Sequence, residues 1–225
     1  MGTTEDVRSV MIDIDALPWN ELLPGVLAKR VWADPDTKRA AMFIRFAPGA
    51  ALARHVHAGD ELLYVLEGSV ADEHAVVTAG TVGYRPDGCT HTVSSPNGAT
   101  VFAVVTGAIK PVSSDDASGP PTVVFDIAAM SWTEGRPGIL QKRFFIDEAA
   151  NRVGILTRFG PGGELPAHRH RGDELVFVIE GTVEDEAGTL RPGMLGYRPD
   201  GCAHTVRTPN GATVLNLLWG DVEAI

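Results

Sequence analysis

The chain has only two cysteines, Cys89 and Cys202, among its 225 residues. Two cysteines do not make the framework of a disulfide-stapled secreted domain, so we expect a reduced, cytoplasmic protein. The sequence also lacks any run of 18 apolar residues, and a transmembrane helix is not expected. The N-terminus, MGTTEDVRSVMIDID, carries acids where a signal peptide would carry basic residues, and it has no apolar core run.

Basic residues are also scarce relative to acids. The chain holds 19 Lys and Arg against 29 Asp and Glu, which gives a net charge of −10 and a pI near 5.1. This balance argues against a nucleic-acid partner or an anionic membrane surface. Hydrophobic residues make up 44% of the chain and charged residues 21%, which is typical of a globular protein with a real core.

Glycine and proline are in excess. The chain has 25 glycines and 15 prolines, about 18% of its residues against roughly 12% in average proteins. This excess favours turns and short strands over long helices, so we predict an all-β fold of the sandwich or barrel type. A short helix is considered at Ala16–Leu22, although Pro18 weakens it. The strands predicted in the first half are Val10–Ile14, Leu27–Trp32, Arg39–Phe46, Leu52–His57, Glu61–Leu66, Ala75–Thr78, His91–Ser94 and Thr100–Thr106.

The sequence repeats itself at an offset of 113 residues without a gap. GYRPDGC at residues 83–89 returns at 196–202, and PNGATV at 96–101 returns at 209–214. Residues 9–107 and 122–220 are therefore two copies of one unit. We predict one domain at 1–108, a second at 122–225, and a linker at 109–121, where Ser, Asp, Pro and Gly are frequent.

Each copy concentrates histidine in one motif. HVHAGDELLYVLEG at residues 55–68 returns as HRHRGDELVFVIEG at 168–181, and one more histidine follows in each half. The first two histidines of each motif are two residues apart, so on a strand they point to the same face. A reversal after them lets the glutamate face back, and the later histidine comes from a distant strand. The candidate ligands are His55, His57, Glu61 and His91 in the first copy, and His168, His170, Glu174 and His204 in the second.

Three imidazoles and one carboxylate are costly to bury unpaired. A divalent transition metal removes that cost, with N and O donors roughly 2.0–2.2 Å from the ion. We therefore expect one ion in each domain. Zinc or iron is the first expectation, and manganese or nickel also suits these donors. The alternative is that the histidines are structural and recur only because the whole unit recurs.

These motifs resemble the two motifs of the cupin family. The first, G-x5-H-x-H-x3-E-x6-G, and the second, G-x5-P-x-G-x2-H, occur in both halves, but the asparagine that ends the second stands two places late, at Asn97 and Asn210. The resemblance covers nearly the whole chain. It implies a bicupin, with two tandem double-stranded β-helix (jelly-roll) barrels.

The D-G-C-x-H-T run is similar to the cupin domain of ChrR-type anti-sigma factors and to acetylacetone-cleaving dioxygenases. The first resemblance implies a sensing or regulatory module for a small ligand or oxidative stress, with a regulatory protein as partner. No sigma-binding domain is expected, because the few residues before the first repeat contain no His or Cys. The second resemblance implies an Fe(II) dioxygenase that cleaves a C–C bond in a diketone-like substrate and that binds its iron through three histidines.

A third alternative is a metal-stabilised protein without turnover.

The cysteines lie two residues before His91 and His204, so each is either a redox sensor beside the metal or a small core residue. No catalytic residue is singled out, and a homodimer is expected from the edge strands of the barrels.

Overall fold

The computed structural model describes residues 7–113 and 119–225, which form strands and turns without a helix. Residues 1–6, with the first acids of the N-terminus, and residues 114–118 of the predicted linker lie outside the described residues. The strands of the first half are β1 Val10–Asp13, β2 Asn20–Leu23, β3 Val26–Asp34, β4 Arg39–Phe46, β5 Ala50–Ala58, β6 Glu61–Ala71, β7 Val76–Thr78, β8 Val82–Arg85, β9 Thr90–Ser95, β10 Ala99–Val105 and β11 Ala108–Pro111. Those of the second half are β12 Val123–Phe125, β13 Thr133–Arg136, β14 Ile139–Asp147, β15 Arg152–Phe159, β16 Gly163–Arg171, β17 Glu174–Gly181, β18 Val183–Asp185, β19 Gly188–Leu190, β20 Met194–Arg198, β21 Ala203–Thr208, β22 Ala212–Trp219 and β23 Asp221–Ala224.

The predicted all-β fold is confirmed, and every strand predicted in the first half is present. However, β6 continues to Ala71 instead of ending at Leu66, and β2, β8 and β11 were not predicted. The helix considered at Ala16–Leu22 is wrong: the segment holds a turn and then β2. Pro18 lacks the backbone N–H that a helix interior needs, which agrees with this outcome. No helix long and apolar enough to cross a membrane occurs in the ranges 7–113 and 119–225.

The chain divides into two compact units. The first barrel is Leu17–Ala129. Its strands form one curled sheet in the order β11-β5-β9-β6-β10-β4-β3-β2, and β7 and β8 also pair with β6. The long strand β6 therefore connects both sides of the barrel, and its burial alternates residue by residue, as expected for a strand with one face in the core.

The second barrel consists of residues 7–16 and Met130–Ile225. It has a seven-stranded sheet, β1-β20-β17-β22-β15-β14-β13, and a five-stranded sheet, β19-β18-β21-β16-β23. Its strands follow the same sequence of pairings as those of the first barrel. The histidine-bearing strands β16 and β21 are neighbours here, as β5 and β9 are in the first barrel.

The two repeats exchange their leading strands. β1, at the start of the first repeat, pairs with β20 of the second barrel, and β12, at the start of the second repeat, pairs with β8 of the first barrel. The compact units thus begin after the leading strand of each repeat, whereas the predicted domains follow the repeat itself. β11 also occupies the first residues of the predicted linker.

The cores are apolar and built from equivalent positions. Val26, Ile44, Val65 and Val101 are among the buried residues of the first barrel, and Ile139, Val178 and Val214 among those of the second. The glycine that ends the histidine motif is required by a close approach. Gly68 has φ +72°, and a Cβ atom there would lie 2.0 Å from the carbonyl oxygen of Gly98.

Candidate metal centres and cavity

Three histidines converge inside the first barrel. His55 and His57 lie on β5, and His91 lies on β9 directly opposite His55. Because residues two apart on a strand share a face, all three rings face the interior. Their candidate ligand atoms lie within 4.8 Å of one another, and all three side chains are buried.

The second barrel repeats this arrangement. His168 and His170 lie on β16, and His204 lies on β21 opposite His168. Their candidate ligand atoms also lie within 4.8 Å of one another. His168 is half-buried, whereas His170 and His204 are buried, so this group is the more open of the two.

The hydrogen bonds of the rings leave nitrogen lone pairs facing inward. Nδ1 of His55 lies 2.8 Å from the carbonyl oxygen of Ala53, and Nδ1 of His168 lies 2.9 Å from that of Pro166. A carbonyl only accepts, so each Nδ1 carries the proton and Nε2 does not. The Nε2 atoms of His57 and His91 lie 2.9 Å apart in the first barrel. Those of His170 and His204 lie 2.9 Å apart in the second.

This geometry fits a metal ion. Two nitrogens about 2.1 Å from one ion and at right angles to each other are roughly 3.0 Å apart. Imidazole nitrogen is a common donor for Zn, Fe, Mn and Ni. Each histidine group can therefore hold one divalent transition metal, as the sequence predicts.

Burial favours the neutral, metal-binding state of four of these rings, those of His55, His57, His170 and His204. Desolvation lowers the pKa of His57 to about 4 and that of His204 to about 2. It also lowers the pKa of His55 and of His170. At neutral pH these imidazoles need not lose a proton before an ion binds.

The two predicted glutamate ligands lie beside the histidine groups but are engaged by arginines. Glu61 Oε2 is 3.8 Å from His57 Nε2 and 2.6 Å from Arg85 Nη1. Glu174 Oε2 is 3.6 Å from His170 Nε2 and 3.2 Å from Arg198 Nη1. Burial raises the pKa of Glu61, but the charge and hydrogen bond of Arg85 outweigh this and hold it below its usual value. The close groups in the two barrels comprise histidines only, and ligation by the glutamates stays a prediction.

Sequence reasoning missed a buried carboxylate behind each site. Asp72 Oδ2 lies 3.5 Å from His91 Nδ1 and 3.4 Å from Arg85 Nη2. It also accepts a 2.6 Å hydrogen bond from the hydroxyl of Thr122, which precedes the exchanged strand β12. Nδ1 of His91 makes no hydrogen bond to the described residues, so the 3.5 Å contact with Asp72 is electrostatic. A carboxylate at this position can orient the ring of a metal-binding histidine and raise its basicity.

The second barrel has an equivalent carboxylate, but there Nδ1 of His204 donates a 2.9 Å hydrogen bond to the carbonyl oxygen of Thr205. Asp185 Oδ2 lies 3.7 Å from His204 Nδ1 and 3.2 Å from Arg198 Nη2. Both aspartates and both arginines recur at the 113-residue offset, and this recurrence was the available signal.

The cysteines are buried core residues in this structure. Cys89 and Cys202 are both fully buried, and desolvation raises the pKa of both thiols. Because the thiolate is the reactive form, a raised pKa disfavours a thiol redox sensor. The structure therefore favours the core interpretation of these two residues.

A cavity of about 650 Å³ opens onto the histidines of the second barrel. His168, His170 and Glu174 are among the residues that line it. Its volume lies within the range of about 300–1,000 Å³ that is typical of small-molecule sites. The second metal centre can thus be reached by a small organic molecule.

Comparison with known proteins agrees with this geometry. The family model of the ChrR cupin-like domain matches the chain twice, at residues 7–110 and 120–222. No curated protein matches the chain.

Among solved structures, a protein from Nostoc punctiforme described as a candidate dioxygenase superposes with a TM-score of 0.83 at 10% identity, covering 97% of this chain and 87% of that one. Oxalate decarboxylase from Bacillus subtilis superposes with a TM-score of 0.73 at 14% identity in one variant and of 0.71 at 16% identity in a structure at pH 4.6. Both cover 100% of this chain, and 81% and 80% of the decarboxylase chain. At these identities the structural likeness shows the fold alone. Because the family model matches nearly the whole chain in two copies, the chain belongs to the ChrR cupin-like family and is a duplicated cupin.

Proposed function

We propose that the protein is a mononuclear metal dioxygenase that cleaves a C–C bond in a small, diketone-like substrate. The observation that carries this proposal is the cavity of about 650 Å³ that is lined by His168 and His170 of the three-histidine group in the second barrel. Three histidines are also the iron ligands that the resemblance to acetylacetone-cleaving dioxygenases implies. The engagement of Glu174 by Arg198 supports the same ligand set.

The residues of the second barrel have distinct roles in this proposal. His168, His170 and His204 hold the ion, and an iron(II) bound there supplies Lewis acidity and redox chemistry. Glu174 is fixed by Arg198 and by the side-chain amide of Asn216, which donates a 2.8 Å hydrogen bond to its Oε1. The glutamate therefore presents a fixed negative charge beside the site.

The overall reaction balances with O₂ as the only co-substrate. One C–C bond of the diketone breaks, and the two atoms of O₂ enter the two carbonyl-containing products. The electrons that reduce O₂ come from the diketone, so no further reductant is required.

The structural neighbours are consistent with a small-molecule substrate. The Nostoc punctiforme protein is described as a candidate dioxygenase, and the Bacillus subtilis protein is an oxalate decarboxylase. Both descriptions concern catalysis on small molecules, and they support, without establishing, such a role for this chain.

The test is oxygen uptake by protein loaded anaerobically with Fe(II) and supplied with a panel of diketones. We expect uptake that depends on one of these substrates and that is lost in His204→Ala. Zinc-loaded protein is the control for redox chemistry, because zinc has no redox couple. A flat oxygen trace across the panel contradicts the proposal.

A second candidate function is a sensing or regulatory module, which the ChrR cupin-like family match favours. In this function the cavity binds a signal, and a change at the metal centre alters the binding of a regulatory protein. Treatment with hydrogen peroxide should then release metal and change partner binding. Peroxide-treated protein that keeps its metal would count against it. The regulatory partner and the homodimer are predictions from the resemblance and from the edge strands.

A further inference from the structure

Three polar side chains line the cavity of the second barrel on neighbouring strands. Gln141 lies on β14, Thr157 on β15 and Asn216 on β22. Gln141 and Thr157 are paired across the sheet, and Asn216 is paired with Ile155, two residues before Thr157. All three therefore share the face that looks into the barrel.

The first barrel has apolar side chains at the equivalent positions, 113 residues earlier. These are Ala28, Ile44 and Ala103, which are 7%, 8% and 0% exposed. Ile44 and Ala103 belong to the packed apolar core of that barrel. The two barrels thus carry the same histidines but differ in the wall around them.

Asn216 shows an unfilled hydrogen bond. Its amide nitrogen donates to Glu174, and because a carboxylate only accepts, this contact fixes which end of the amide is which. The other end, Oδ1, is buried and has no hydrogen-bond partner among the described residues. A buried acceptor without a donor is unfavourable by about 1–3 kcal/mol, so a donor brought by a ligand would relieve it.

The charges around the cavity nearly balance. Three arginines line it, against four acids, namely Asp147, Glu148, Glu174 and Asp221. One of the arginines, Arg152, is paired with Asp147. Apart from the ion that the histidines would hold, these side chains therefore offer a strongly anionic ligand no excess of positive charge. The remaining wall includes apolar side chains such as Ile139, Ile155 and Leu218, which suit the carbon skeleton of a ligand.

We propose that only the second barrel binds the small molecule, that its ligand is an uncharged oxygenated compound with a hydrogen-bond donor and an acceptor, and that Gln141, Thr157 and Asn216 select it. The metal of the first barrel is structural. This inference deepens the proposed function and rests on it for the metal centre. It adds the division of labour between the sites and the residues that determine specificity.

The experiment uses full-length protein loaded with Co(II) at both sites and titrated with acetylacetone, which is uncharged and whose enol form has one donor and one acceptor. Visible absorption of Co(II) reports on its ligands. We expect one equivalent bound per chain. In the triple variant Gln141→Ala, Thr157→Ile, Asn216→Ala, which carries the residues of the first barrel, we expect binding roughly 100-fold weaker, since three hydrogen bonds of about 1 kcal/mol are lost. Metal content should stay at two ions.

Single variants guard against a folding defect in the triple variant. Thr157→Val should weaken binding roughly fivefold, for one hydrogen bond of about 1 kcal/mol. Ile44→Val, the matched change in the first barrel, should leave binding unchanged. Oxalate is the contrasting probe, because it can contact the ion but brings no donor for Oδ1 of Asn216. Asn216→Ala should therefore weaken the binding of acetylacetone but not that of oxalate.

Four results would overturn the inference: two equivalents of equal affinity, insensitivity to the wall substitutions, an equal loss of oxalate and acetylacetone binding in Asn216→Ala, or no binding by the unmodified protein. One equivalent that depends on the wall residues, without oxygen uptake, supports the binding site while removing the dioxygenase function. The failures of the two proposals are therefore distinguishable.

Discussion

Replacement of Arg85 by methionine should destabilise the first barrel strongly. Arg85 is 2% exposed and bridges two carboxylates, Glu61 at 2.6 Å and Asp72 at 3.4 Å. Methionine keeps much of the volume but removes the cation that contacts both acids. Removal of one partner from a buried ion pair costs about 3–5 kcal/mol, because the remaining charge is left uncompensated. We expect a loss of that size in the free energy of unfolding.

The assay is urea unfolding of metal-free protein, followed by circular dichroism, so that ion binding does not mask the effect. The double variant Arg85→Met, Glu61→Gln should recover part of the lost free energy of unfolding. It removes one of the two carboxylates that Arg85→Met leaves without a cation. For groups in contact, a coupling of roughly 0.5–3 kcal/mol is typical. A loss below about 1 kcal/mol, the value of an exposed pair, would refute the reasoning.

Three further predictions concern the centres themselves. Thr122→Val removes the hydroxyl that donates to Asp72. A competitive chelator titration should then show one of the two ions held about tenfold more weakly. Equal metal affinities of the variant and the unmodified protein would contradict the role of the exchanged segment. Glu61→Gln and Glu174→Gln should each retain two ions by elemental analysis, because three histidines suffice, and loss of one ion would identify the carboxylate as a ligand. A thiol reagent should label neither cysteine in the folded protein, because both are buried with a raised pKa; rapid labelling before unfolding would restore the redox-sensor interpretation.

The metal centres could be predicted from the sequence because strand geometry determines them locally. The two-residue spacing of His55 and His57 places both on one face wherever the strand lies. The position of His91 required a long-range pairing, and the repeat and the cupin resemblance supplied it. The strands themselves could be predicted from short segments separated by glycine and proline turns, which are also local signals.

Other features depend on which strands become neighbours, and the sequence does not state this. The residues of β1 would suit an edge position in either barrel. Its pairing with β20 of the second barrel could therefore not be predicted from the sequence. Arg85 is 24 residues from Glu61 and 13 from Asp72, and only the folded sheet brings these charges together.

The difference between the two barrels also required the structure. Gln141, Thr157 and Asn216 are three isolated polar residues in the sequence. Strand register places them on one wall of one cavity. Because the equivalent positions of the first barrel are apolar, we infer that they determine which ligand the second barrel binds.

The central claim is that each barrel holds one ion through three histidines. Native mass spectrometry of protein purified without added metal, combined with elemental analysis, tests this most directly. The account predicts two ions per chain, one ion in His57→Ala, one in His170→Ala, and none when both are replaced. A chain that binds no ion even after incubation with Zn(II) or Fe(II), or that keeps two ions in these variants, would contradict it.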